Sequence, residues 1–292
     1  MSIESNNPTS GFTPSAASAI NDIAPLLSDD DTEPEQRGAL TADSTIVLSI
    51  VVPAYNEEDR LGSTLKRMLA YFDGQQTPYE IIVVDDGSTD GTIEIVRHIA
   101  ERRAQVRLLS YASNRGKGYA VRYGMLRAHG VRVLFCDADL ATPIEEIEKL
   151  SAQLDAGFDI AIGSRDVVGS QLLKRQSFVR EMGGRIFNKI VQLMAVPGIH
   201  DTQCGFKLFT RSASQTVFRR CQVDHFAFDV EMLYLAVKVF GLKVAEVPVR
   251  WAHQEGSKVR FVRDAWRMLK TVFRIRFTRY QSAAAPAELH LQ

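Results

Sequence analysis

The chain has 292 residues, and its 35 Lys plus Arg are matched by 35 Asp plus Glu, so whole-chain charge selects no partner. No apolar run reaches the ~18 residues of a membrane-spanning helix, which argues against a protein that crosses a bilayer by itself. The three cysteines, Cys136, Cys204 and Cys221, are odd in number and lack metal-ligand spacing, so they read as reduced thiols in the core of a cytoplasmic protein. Residues 1–44 are rich in Ser, Asn, Pro, Thr and acid, with no sustained apolar period and no secretory signal, and read as a disordered tail. Residues 281–292 form a second loose tail, leaving 45–280 as one foldable domain.

Ile46–Pro53 is an apolar strand ended by proline, and Glu58–Phe72 carries helical spacing through Leu61, Leu65, Met68, Leu69 and Phe72. Glu80–Asp86 is a second buried strand, ending in two carboxylates. Gly87–Thr92 is a turn cluster leading into a helix through Ile95, Val96 and Ile99. Val106–Leu109 is a short strand, Asn114–Gly118 a basic loop, and Tyr119–Ala128 a helix. Val131–Cys136 is the next strand, followed by Asp137-Ala138-Asp139 and then Thr142-Pro143, an expected N-cap and first turn of a helix. Further on come a helix at Glu145–Leu154, a strand Ile160–Ser164 ending at Arg165, and a polar, mobile stretch 166–178. A helix follows over Gly183–Met194, a strand near Phe206–Phe209, a helix Phe228–Phe240 and a strand Val244–Val249. Strands alternating with helices, with the strands buried on both faces, define an α/β fold with a mostly parallel sheet.

In such sheets ligands lie beyond the carboxyl ends of the strands. The chemically suggestive loops all fall at that edge: Tyr55 to Glu57, Asp85-Asp86, Arg115 to Lys117, and Asp137 to Asp139. Alternate residues of an extended segment point the same way, so Asp137 and Asp139 can converge on a hard divalent cation, Mg²⁺ or Mn²⁺, that keeps positions open for phosphate. A dinucleotide-binding fold is disfavoured. Its glycine fingerprint is missing after the first strand, and Gly116-Lys117-Gly118 lacks the third glycine because position 121 is Val.

The last helix differs in kind. Val262, Trp266, Leu269, Phe273, Phe277 and Tyr280 share one helical face, and Arg263, Arg267, Lys270 and Arg274 form a second stripe with Arg276 and Arg279 added. Residues 259–280 therefore read as a basic amphipathic helix suited to an anionic membrane surface, where each basic side chain is worth about 1 kcal/mol. The alternative is an ordinary core-packed helix with a solvated basic face.

These motifs resemble a known family. Val52-Pro53-Ala54-Tyr55-Asn56-Glu57, Val83 to Thr92, Asn114 to Gly118 and Asp137-Ala138-Asp139 are similar to the inverting family 2 glycosyltransferases of GT-A fold. Asp201 to Thr210, Ala227 to Glu231 and Glu255 to Lys258 resemble the dolichyl-phosphate β-glucosyltransferase branch more than the mannose synthases. The resemblance implies that Pro53, Tyr55, Glu57, Val84 and Asp86 hold the base and ribose of a nucleotide sugar, with Lys117 in the same donor site. It further implies that Asp137, Ala138 and Asp139 hold its diphosphate through the metal. Arg165, Lys207, Ser257 and Lys258, joined by Arg180, would meet phosphate groups. The mannose synthases place a Gln on the metal two residues after the second Asp, where this chain has Ala141.

If the acceptor is a lipid monophosphate, its oxygen is already anionic and no general base is required. A hydroxyl acceptor would need one, with Asp201, Asp229 and Glu231 as candidates. The expected activity is metal-dependent transfer of a hexose, foremost glucose from UDP-glucose, to a polyprenyl or dolichyl phosphate, with Asp139, Arg165, Asp201 and Asp229 at the chemistry. The enzyme would be peripheral on the cytosolic face of a membrane and would not bind nucleic acid. A GDP-mannose-using mannosyltransferase and a catalytically inactive membrane-surface binding protein stay open as alternatives, as does a homo-oligomer.

Overall fold

A computed structural model describes residues 46–174, 189–252, 261–278 and 280. The two expected tails, Arg180, Ser257 and Lys258 lie outside the described residues. A seven-stranded sheet runs in the order β3-β2-β1-β4-β7-β5-β8. The strands are β1 (Leu48–Ala54), β2 (Tyr79–Asp85), β3 (Val106–Ser110), β4 (Arg132–Cys136), β5 (Ile160–Ser164), β7 (Phe206–Thr210) and β8 (Val244–Pro248). β1 and β2 are buried along their whole length, the pattern of strands covered on both faces.

The first four strands are mutually parallel. β2 and β3 lie on one side of β1 and β4 on the other, which makes the gap between β1 and β4 a topological switch point. The crevice above such a gap is where open α/β sheets bind ligands. β7 then inserts antiparallel between β4 and β5, while β8 returns parallel to β5. Because β7 runs backwards, the loop that enters it, Asp201 to Gly205, arrives at the same rim as the carboxyl ends of β1, β2 and β4.

The helices cover both faces. On one, α1 (Leu61–Asp73), α2 (Thr92–Ala100) and α4 (Ile147–Asp155) bring Leu65, Met68, Val96 and Leu150 against Ile50, Val52, Ile81 and Leu134. On the other lie α3 (Lys117–Leu126), α5 (Arg211–Phe218) and α6 (Phe228–Tyr234), the last continuing as a π-helical turn over Leu235–Val239. Phe135 of β4 meets Phe228 edge-on at 5.7 Å, and Phe209 of β7 meets Phe218 at 5.5 Å.

Several expectations need correction. Thr142 is no cap: a 3-10 turn (Ile144–Glu146) precedes α4, its capping position is Pro143 without a side-chain bond, and the Thr142 hydroxyl faces Cys204 Sγ at 3.8 Å. The stretch read as mobile contains β6 (Gln171–Lys174), which pairs with β9 (Arg250–Ala252) in a separate two-stranded sheet. α5 had no counterpart in the sequence reading, although Thr210 caps it by accepting from Ala213 N. Residues 189–194 are helical. All three cysteines are buried free thiols.

α7 (Phe261–Phe277) forms where a helix was expected. Val272 and Ile275 are buried, whereas Phe273 is 48% and Phe277 75% exposed. Lys270, Arg274 and Arg276 are exposed as well. Tyr280, beyond the helix, turns inward, its hydroxyl donating to Glu231 Oε1 at 2.8 Å. Among the described residues no helix is long and apolar enough to cross a membrane.

Candidate active site

The loops after β1 and β2 are laced to one another. Asn56, in the left-handed region at φ 51°, donates its backbone N–H to Ser88 Oγ at 2.9 Å and accepts from Thr89 N at 2.8 Å. The Glu57 N–H donates to Thr92 Oγ1 at 2.7 Å, and Glu58 Oε2 accepts from Gly91 N at 2.7 Å. Pro53 and Val84 are buried in the floor, and Tyr55 stands at the rim, 36% exposed. Asp85 is buried with Oδ2 accepting from Ser88 N at 3.1 Å, while Oδ1 has no hydrogen-bond partner among the described residues.

Asp86, expected to touch the ligand, is instead the organiser of the basic loop. Its carboxylate accepts from Tyr111 OH at 2.9 Å, Asn114 Nδ2 at 2.9 Å, and the backbone N–H groups of Arg115 and Gly116. Burial pushes its acidity toward the neutral form, and these donors pull it back only in part. The unpaired acceptor at this rim thus belongs to its neighbour Asp85. Gly116 takes φ 103°, open to glycine, and a Cβ on Gly118 would lie 2.4 Å from the Val223 carbonyl. Fixed on both sides, the loop delivers Lys117 at the first turn of α3, its ammonium 2.6 Å from Asp137 Oδ1.

Asp137 follows β4 directly, and its N–H donates to the Gly205 carbonyl at 3.0 Å. A Cβ on Gly205 would sit 1.9 Å from Asp137 Oδ2, so only glycine leaves room for this carboxylate. Ala138 O accepts from Thr64 Oγ1 of α1 at 2.7 Å. Asp139 Oδ1 accepts from Ala141 N at 3.0 Å, in a tight turn that puts Leu140 at φ 46°. Burial raises the Asp139 pKa, and the neighbouring Asp137 charge raises it further. Two carboxylates that repel each other at a sheet rim, with Asp137 Oδ1 already holding the Lys117 ammonium, fit a divalent cation. No group of three or more His, Cys, Asp or Glu with metal-holding geometry occurs among the described residues. The protein's share is then these two carboxylates, the pattern of Mg²⁺-type sites that borrow their other ligands from phosphate and water.

The remaining expected residues are close by but face each other. Arg165 forms a two-pronged pair with Asp201, Nε to Oδ2 at 2.6 Å and Nη2 to Oδ1 at 2.8 Å, and lies 5.3 Å from the Trp251 ring. Asp201 is wholly buried; burial alone would raise its pKa, but Arg165 outweighs this and holds it below the usual carboxylate range. Lys207 is also wholly buried, its ammonium 2.5 Å from both Asp229 Oδ1 and the Cys204 carbonyl. Glu231 accepts from the N–H groups of Gln222 and Val223 and from Tyr280. Lys207 therefore faces Asp229 rather than a phosphate, and none of the three candidate bases presents a free carboxylate to an acceptor. A small cleft beside Asp137 is lined by Leu140, Ala141, Thr142, Gly205 and Trp251. None of these five had been singled out as a site residue from the sequence.

A GT-A-type nucleotide-sugar fold is what this sheet order and rim define, and solved structures agree. The chain superposes on mannosyl-3-phosphoglycerate synthase from Rubrobacter xylanophilus with TM-score 0.57 and 20% identity, over 79% of this chain and 72% of that one. It superposes on glucosyl-3-phosphoglycerate synthase from Mycobacterium tuberculosis, solved with Mn²⁺, UDP and glucosyl-3-phosphoglycerate, with TM-score 0.56 and 18% identity over 78% of each chain. The sequence profile of Glycosyl transferase family 2 matches residues 49–218. Dolichyl-phosphate β-glucosyltransferases are similar to it: that of Drosophila melanogaster is 45% identical over 233 residues, covering 74% of this chain and 70% of the relative. The human one is 37% identical, covering 77% and 78%. This chain belongs to glycosyl transferase family 2 and is a glycosyltransferase.

Proposed function

We propose that the chain transfers glucose from UDP-glucose, with inversion, to the phosphate of a dolichol or related polyprenol, at an anionic membrane surface. The observation that carries this reading is the pair Asp137 and Asp139 at the β1/β4 switch point, in a chain whose relatives bear the name dolichyl-phosphate β-glucosyltransferase. The laced loops after β1 and β2 would seat the nucleotide, with Asp85 Oδ1 as the acceptor awaiting an N–H donor. Asp137 and Asp139 would hold Mg²⁺ or Mn²⁺, which when bound supplies Lewis-acid stabilisation of the departing diphosphate.

The acceptor assignment draws on what the site's acids are doing. Asp201, Asp229 and Glu231 are each engaged internally, so a hydroxyl acceptor would find none of them ready to take its proton. A phosphate oxygen needs no such help, and transfer then depends on alignment. The exposed Phe273 and Phe277 beside Lys270, Arg274 and Arg276 suit insertion into an anionic leaflet, which would bring the lipid phosphate to the enzyme at the cytosolic face.

The test is direct. The full chain is incubated with radiolabelled UDP-glucose or GDP-mannose, Mg²⁺ or Mn²⁺, and polyprenyl phosphate, and label is extracted into organic solvent. Glucose label should move, EDTA should stop it, and Asp139→Ala should abolish it with an unchanged circular dichroism spectrum. Preference for GDP-mannose would overturn the donor assignment, and near-normal turnover by Asp139→Ala would overturn the metal role.

A further inference from the structure

Lys117 is a cation already resident where the divalent ion is expected. Its ammonium lies 2.6 Å from Asp137 Oδ1. Besides Asp137, the charges of Asp229 and Asp139 act on it. Lys207 neutralises Asp229. Arg60, the further cation whose charge reaches Asp139, is paired with Glu57. A divalent ion arriving alone thus meets one carboxylate already neutralised and a fixed positive charge alongside.

We propose that Lys117 is a built-in counter-ion that makes divalent-metal binding conditional on the nucleotide diphosphate. The inference rests on the donor-and-metal reading above and adds the order in which the parts assemble. The backbone around Lys117 cannot yield: Gly116 is pinned by the Asp86 carboxylate and Gly118 is pressed against Val223 and Phe228. What can move is the four-carbon stem, carrying a compact point charge. An incoming diphosphate offers that ammonium an alternative anion. Once Lys117 turns to the diphosphate, Asp137 Oδ1 is released to the metal. Metal and nucleotide therefore each strengthen the other's binding, as linkage requires.

The experiment follows free Mn²⁺ by electron paramagnetic resonance as it is titrated into the full chain, with and without UDP. UDP should tighten Mn²⁺ binding to the wild-type chain by roughly tenfold or more, within the usual range of coupling between sites. Lys117→Met should bind Mn²⁺ alone roughly tenfold more tightly than wild type and lose most of the UDP dependence. Lys117→Arg, which keeps the charge, should retain that dependence. If Lys117→Met melts early, Lys117→Gln carries the same comparison. Unchanged or weaker binding of Mn²⁺ alone by the neutral variants overturns the proposal, as does equal binding by wild type with and without UDP. If the wild-type chain binds no Mn²⁺ even with UDP, the underlying metal reading falls, and this one with it; that outcome is distinct from Mn²⁺–UDP binding that ignores position 117.

Discussion

Position 205 shows how much of this site hangs on a single missing methyl group. With Asp137 Oδ2 1.9 Å from where a Cβ would stand, Gly205→Ala must displace the carboxylate or the backbone that accepts from Asp137 N. A displacement near 1 Å at a reacting centre is worth about a hundredfold in rate, so the variant should lose transfer activity by roughly that factor. Its melting temperature should fall only modestly, because Gly205 and Asp137 are themselves only partly buried. Near-normal turnover would show that Asp137 does not need its present place. Nothing in the sequence marks this contact, which joins residues far apart in the chain. The two aspartates were legible because they lie one residue apart and follow an obvious strand. Lys207 misled for a related reason. The family resemblance implied a phosphate contact for Lys207, but β7 alternates its side chains, and Lys207 goes to the face that carries Phe135 and Asp229.

The elements tell the same story at larger size. Periodicity located α7, and Phe273 and Phe277, on the aromatic arc read as suited to a membrane surface, are exposed. Val272 and Ile275 bury themselves, and Tyr280, by reaching Glu231 and stacking near Tyr234 at 6.0 Å, ties down the chain beyond. The outcome leaves Phe273 and Phe277 available for a membrane while the opposite arc anchors the helix. Replacing both by Ser should leave the melting temperature within a few degrees of wild type. It should weaken binding to phosphatidylserine-containing vesicles by at least about tenfold, since inserting even one phenylalanine ring is worth roughly 2 kcal/mol. Equal vesicle binding by the double variant would remove this surface from consideration.

At the scale of the whole molecule, the site occupies one rim of the sheet, and a buried ion pair closes the other. Glu80 is fully buried and accepts from Ser49 Oγ at 2.6 Å and His129 N at 2.8 Å while pairing with Arg107. Burial works to raise its pKa, but these partners outweigh burial and leave it below the usual glutamate value. A lowered folded-state pKa means the stabilisation is present above the unfolded-state value and is lost as pH falls through the folded one. Glu80→Gln should therefore cost about 3 kcal/mol near neutrality by urea denaturation, the scale for breaking a buried pair. The gap to wild type should close progressively below pH ~4.3; a gap constant with pH would refute the assignment. The parallel half of this sheet could be read from alternating buried strands and helices. The antiparallel insertion of β7 could not, because local pattern does not say which strand a segment will pair with.

That insertion sets a timetable for synthesis. β4 is complete at Cys136, yet its second neighbour begins only at Phe206, about 70 residues later. At ~5–20 residues per second, a ribosome leaves one flank of the nascent sheet's middle strand uncovered for several seconds. The candidate site residues Asp137 and Asp139 emerge beside that flank, so a chaperone stationed at the exit tunnel would meet this edge of the protein before its fold is finished.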